Sequence, residues 1–164
     1  MQINKFKDMY IAELQELVSM ESQLVQMLTR AGDAASHPSL KEALTRHCQE
    51  TVQQGERVRS ILQKHGAEAE THTDQAMQTI IAEAEKMMRI LQGDDLRDAG
   101  LIASAQKIEH YEIAAYGSAA ALAGQLEFRD DQKQLHAIME EEKRADKLLS
   151  ELAKAEVNQD AAAA

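Results

Sequence analysis

Apolar residues recur at steps of three and four along nearly the whole chain, the spacing of a helix with one buried face. Gly32-Asp33 and His37-Pro38-Ser39 interrupt the pattern first, Gly66 next, then Gly93-Asp94, and finally the stretch from Gly124 to Asp131. Five helices are predicted between these breaks, over about 4–31, 38–65, 74–91, 95–124 and 131–156. At ~1.5 Å per residue the four long ones span about 36–45 Å, enough for a full bundle.

Three of the long stripes carry an acid where an apolar residue is due. The first runs Tyr10, Leu14, Leu17, Leu24, Leu28, Ala31, and Glu21 fills its gap. The stripe Leu101, Ala105, Ile108, Ala115, Ala119, Leu122 is filled by Glu112, and Leu135, Ile138, Ala145, Leu149, Leu152 by Glu142. The second helix is noisier, with Leu40, Ala43, Leu44, His47, Glu50, Gln54, Val58 and Ile61 on one face. Glu112 lies 91 residues after Glu21, and Glu142 lies 92 after Glu50, which also sets Gln54 on Asp146. The chain thus reads as two related helix pairs. A pair, a long connection and a second pair is the order of a four-helix bundle with one crossover. The shorter helix belongs to that crossover. Its stripe from Met77 to Leu91 reads first as core packing and second as a capping or partner-facing surface. A single all-α domain over 1–158 is expected, with an alanine-rich tail, 159–164, that frays.

Composition agrees. Ala, Leu, Glu, Gln, Lys and Met are abundant, and the single proline and absence of Trp suit helices. A formal charge of −10 argues against nucleic acid and against an anionic membrane surface. No run of eighteen apolar residues suggests a membrane span, and the opening MQINKFKDMY lacks the apolar core of a secretory signal. The lone Cys48 excludes an internal disulfide and reads as a small packing residue, so a cytoplasmic protein is expected. Most acids, such as Glu68-Glu70 and Asp94-Asp95, are read as solvated.

The acids in the stripes are different, because an ionised carboxylate in a bundle core is costly unless paired, protonated or bound to metal. Glu21, Glu50, Glu112 and Glu142 come one from each long helix, near mid-length, so antiparallel packing can bring them to one level. Glu109 is one turn before Glu112, while Gln54 and Asp146 follow Glu50 and Glu142 by one turn. Two cations would offset most of the mutual repulsion, and hard oxygen donors suit Fe, Mn or Mg; no twelve-residue calcium loop is present. The competing reading is a charge-paired core neutralised by His47, Arg57 or Lys107. His47 itself reads as a support for Glu50 or a satisfied core residue before it reads as a ligand, and His110 as peripheral.

At these residues a family resemblance emerges. The run DAGLIASAQKIEHYEIAAYG, Asp98–Gly117, resembles the signature helix of the YciE/YciF-type bacterial stress proteins, a branch of the ferritin-like superfamily. Met20-Glu21-Ser22-Gln23-Leu24, His47-Cys48-Gln49-Glu50-Thr51 with Gln54, and Glu141-Glu142-Lys143 with Asp146 match in the same order, over about residues 8–153. The resemblance implies a ferritin-like, rubrerythrin-like bundle, a homodimer, and a di-iron centre held by Glu21, Glu50, Glu109, Glu112 and Glu142. By the same analogy Glu50 and Glu142 are the bridging candidates, with Gln54 and Asp146 completing or orienting the shell. One departure stands out: the superfamily's histidines three residues after the second- and fourth-helix glutamates are here Gln53 and Ala145, which makes the site harder and keeps manganese in play.

Two functions follow as expectations. The first is a di-iron stress protein that reacts with O₂ or peroxide and takes electrons from an external donor, since no four-cysteine module is present. The second is a metal-binding or structural protein without turnover. Tyr111 and Tyr116 read as packing residues before they read as electron relays. A storage cage is disfavoured.

Overall fold

The computed structural model of the chain describes residues 3–69 and 72–164; Met1, Gln2 and Glu70, named above, lie outside them. Five helices form where the spacing predicts them: α1 Phe6–Ala34, α2 Pro38–Lys64, α3 Gln75–Ile90, α4 Asp94–Gln125 and α5 Arg129–Leu152. A π-helical turn, Ala153–Val157, continues α5, and α6, Asn158–Ala163, follows it with no buried residue.

The stops work as their chemistry requires. Gly66 (φ 68°) and Gly93 (φ 91°) adopt left-handed backbone beside helix ends, which a side chain at Cβ disfavours. Gly32 behaves otherwise. It stays helical and buried, with space for a Cβ only 3.7 Å from Thr45 Oγ1, so it marks a close α1–α2 approach and the helix runs on to Ala34. The short connection to α2 is fixed from across the bundle. Asp98 on α4 accepts the backbone N–H groups of Ser36 (3.0 Å) and His37 (2.6 Å), and Pro38 occupies the first helical position.

The opposite end of the bundle is tied by Asp131, at the start of α5 and fully buried. It accepts from Tyr10 Oη (3.2 Å) near the start of α1, from Lys64 Nζ (2.8 Å) at the end of α2, and lies 2.6 Å from His65 Nε2. The two ends together give the directions: α1 and α5 run one way, α2 and α4 the other. The α2–α4 connection therefore crosses the full height of the bundle, and α3 lies in it, packed on α4 and α1 through Met77, Ile81 and Ala84. The shorter helix is thus core packing. This is an all-α four-helix bundle with one long crossover carrying an extra helix. Among the described residues no helix is long and apolar enough to cross a membrane.

Candidate metal centre

Four buried side chains from three helices meet at mid-bundle. His47 (α2), Glu109 and Glu112 (α4) and Glu142 (α5) each offer a donor atom, and all four atoms lie within 4.8 Å of one another. Helical geometry explains each position. Glu109 and Glu112 are one turn apart on the buried face of α4, between Ile108 and Tyr116. Glu142 sits between Ile138 and Leu149 on α5, and His47 between Leu44 and Thr51 on α2. The His47 Nε2 atom is 3.0 Å from Glu109 Oε1 and 3.6 Å from Glu142 Oε2, without the alignment of a hydrogen bond.

Two further groups adjoin the cluster. Glu21 on α1 is buried, and its Oε1 accepts from Tyr116 Oη. Gln54 on α2, fully buried, donates its amide to Glu142 Oε1 and to Glu141 Oε2 (3.1 Å). Arg57 is taken up by Glu141 through both Nη atoms, and Lys107 is exposed. Among the described residues His47 is the cation in contact with the clustered acids, while Arg57 acts on Glu21 only through its charge.

Electrostatics show the strain of that arrangement. Burial pushes Glu142 up to about 9, with His47 opposing and Glu109 and Glu21 adding to the rise. Burial likewise raises Glu21 to about 7, against the stabilising hydrogen bond from Tyr116. Glu112 is held well above the carboxylate range by burial, then by the charges of Glu142, Glu21 and Glu109. Burial alone would discharge His47, but Glu109, Glu50 and Glu142 outweigh it and keep the ring protonated well above its usual value. Even so, both oxygens of Glu112, one oxygen each of Glu21, Glu109 and Glu142, the Gln54 carbonyl oxygen and both His47 nitrogens are buried without a hydrogen-bond partner among the described residues. An orphaned buried acceptor costs about 1–3 kcal/mol, and native cores hold few. Donor atoms of His47, Glu109, Glu112 and Glu142 converging within 4.8 Å, with orphaned carboxylate oxygens among these side chains, fit a bound cation, which the donor set of carboxylate and imidazole suits.

The site differs from the expected one in two residues. Glu50 does not join the cluster: its side chain is 46% exposed, and Oε2 is 3.9 Å from His47 Nδ1. The buried stripe of α2 runs Leu44, His47, Thr51, Gln54, Val58, so Thr51 holds the inward position and Glu50, about 100° away, lies at its edge. Asp146 also lies outside, accepting from Gln106 Nε2 (3.0 Å) with His110 Nδ1 3.7 Å away. Glu21, Gln54, Glu109, Glu112 and Glu142 do converge. The twofold likeness of the halves therefore fails at α2, where His47 stands in for Glu50. The regular 44–47–51–54–58 spacing is the signal in the sequence that places His47 inward. Tyr111 points away, donating to Asp74 Oδ2 (2.9 Å), and Cys48 is a partly buried packing residue.

The comparisons with known proteins agree with this architecture. The model of the family described as Domain of unknown function (DUF892) matches residues 5–162. Protein YciF of Escherichia coli (strain K12) is 37% identical over 162 residues, covering 98% of each chain. The crystal structure of YciF, described as a stress protein, superposes with a TM-score of 0.90 over 95% of this chain and 99% of that one. YcfI from Rhodopseudomonas palustris, described with a provisional structural role, is 30% identical with a TM-score of 0.88, covering 91% and 95%. A protein from Xanthomonas campestris, 18% identical with a TM-score of 0.75 over 92% of each chain, shares the fold.

Proposed function

Because the chain belongs to the DUF892 family, whose description assigns no activity, we propose from the buried cluster that it is a YciF-like stress protein built around a carboxylate-rich di-metal centre, with iron as the first candidate and manganese the second. His47, Glu109, Glu112 and Glu142 would hold one ion. Glu21 Oε2 and the Gln54 carbonyl oxygen are the free donors for a second, sharing the carboxylates between. One observation carries this reading: Glu112, fully buried, presents both oxygens to the cluster with no protein partner for either.

Reduced iron or manganese in this place would supply electrons to O₂ or peroxide. The chain's own residues prepare the site for such an ion. Tyr116 fixes Glu21 and the Gln54 amide fixes Glu142, so two ligands are oriented before a metal arrives. Leu17 and Leu24 on α1, Ala105 and Ile108 on α4, and Ile138 on α5 are buried one turn from the acids and keep the surroundings dry. His47 carries a proton among the acids and must lose it to become a ligand, so loading releases protons.

The test is metal content by mass spectrometry, on protein purified without added metal and after anaerobic loading, with Glu112→Gln alongside. About two ions in the parent and a clear deficit in the variant support the centre; equal content in both removes it. A second reading, a metal that only neutralises and stabilises the core, draws on the structural description of YcfI. A large rise in Tm on loading with no consumption of O₂ or peroxide would select it.

A further inference from the structure

A cleft between α2 and α5 opens onto the cluster from one side. It encloses about 280 Å³, and His47 and Glu109 form part of its wall. These two residues are buried, and His47 Nδ1 and Glu109 Oε2 have no hydrogen-bond partner. An aliphatic part of the wall is built by Ala43 and Leu44 from α2 and by Ala145, Leu148 and Leu149 from α5. Leu148 stands partly exposed at 38%. The cleft is open because alanines face it from both helices, at 43 and 145, where larger residues would close the seam.

A passage used only by hydrated cations or hydrogen peroxide gains nothing from aliphatic walls, which offer such solutes no replacement for water. A molecule with an apolar body does gain, because each buried CH₂ contributes about 0.8 kcal/mol. Arg46, Glu50, Glu141 and Arg144 also line the cleft, and His47 and then the two arginines lower the Glu50 carboxyl, so these charges offset one another and leave the unpartnered His47 Nδ1 to meet a polar oxygen group of an incoming molecule. The volume lies at the lower edge of small-molecule clefts and suits a body of roughly ten non-hydrogen atoms.

We propose that this cleft is a binding site and access port for small molecules with an apolar body and an oxygen head, the class of alkyl and aralkyl hydroperoxides and their alcohols. The cleft itself is independent of metal; its role as a port rests on the metal centre proposed above. The molecule lies with its body against Ala145 and Leu149 and its oxygen head toward His47 and Glu109.

The test uses 2-phenylpropan-2-ol, the redox-inert alcohol of an aralkyl hydroperoxide, followed by methyl NMR on the full chain, metal-free and zinc-loaded. Saturable shifts confined to methyls of Ala43, Leu44, Ala145, Leu148 and Leu149 are expected. Ala145→Leu should weaken them about tenfold with metal content unchanged. Ala43→Leu, filling the cleft from the other helix, should do the same and covers the case in which the first variant does not fold. In manganese-loaded protein, the bound probe's signals should broaden through proximity to the ion. Absence of shifts in protein that loads metal normally overturns the cleft and leaves the metal centre standing. Shifts that persist in both filled variants place the probe elsewhere and overturn it as well. Shifts without any metal loading sink the centre, and with it the role of port.

Discussion

Replacing Glu142 by glutamine should make the metal-free protein more stable, although it removes a residue at the heart of the site. The carboxyl of Glu142 is pushed from its ordinary 4.5 up to about 9. At pH 8 it is ionised in the unfolded chain and protonated in the folded one, so folding must take up a proton against the solution. Each pKa unit between the ordinary value and the pH costs about 1.4 kcal/mol, which puts the penalty at roughly 2–5 kcal/mol; the lower end applies if the neighbouring acids share one proton. The sign follows from linkage: a group whose folded pKa is raised contributes most below its unfolded value, and that contribution is lost as pH rises toward the folded one. Glutamine keeps the shape, can accept the Gln54 amide as Glu142 does, and carries no charge. Thermal unfolding of metal-free Glu142→Gln at pH 8 should therefore show Tm raised by roughly 5–15 °C, a gain that nearly vanishes at pH 5. With metal present the order reverses, because the variant lacks a charged ligand. A lower Tm for the metal-free variant at pH 8, or an equal gain at both pH values, would refute the account of a charge-frustrated core.

Metal binding should release protons, and more of them as pH falls from 8 to 6, because His47, Glu142 and Glu21 all hold protons more tightly than usual; calorimetry in buffers of different ionisation enthalpy measures it, and no buffer dependence would contradict it. Glu50→Ala and Asp146→Ala should each leave metal content close to the parent's, since both side chains lie outside the cluster, whereas His47→Ala, which removes a direct ligand, should weaken metal affinity by at least about tenfold, the loss seen even for residues that only support a ligand. Asp131→Ala should destabilise the fold by about 3 kcal/mol without changing metal content, because it strips partners from Tyr10, Lys64 and His65 at the far end of the bundle. Burial opposes charging Asp131, but Lys64 and His65 outweigh it and lower its pKa, so this tie's contribution is present above the ordinary carboxylate range and fades as pH drops through the lowered value; chemical denaturation from pH 6 to 3 checks the direction.

The periodic spacing alone determined five helices, the breaks between them apart from Gly32, which stays helical, and the crossover order, because amphipathic stripes and left-handed glycines such as Gly66 and Gly93 act through local geometry. It also marked Glu21, Glu112 and Glu142 as inward, since each fills a gap in an unbroken apolar stripe. Which neighbouring residue completes the group was decided by the tertiary structure. On α2 the candidates His47, Glu50 and Gln54 share a broad face, and a rotation of about 100° separates a buried ligand from a half-exposed acid. On α5, Asp146 is one turn from Glu142, yet the packing of α4 beside it supplies Gln106 and draws its carboxylate outward. Nor does one-dimensional spacing show that Arg57 is taken up by Glu141 while the His47 ring sits against Glu109. Helix rotation and pairing between distant helices are properties of the packed bundle, and they alone set how many charges meet in its core.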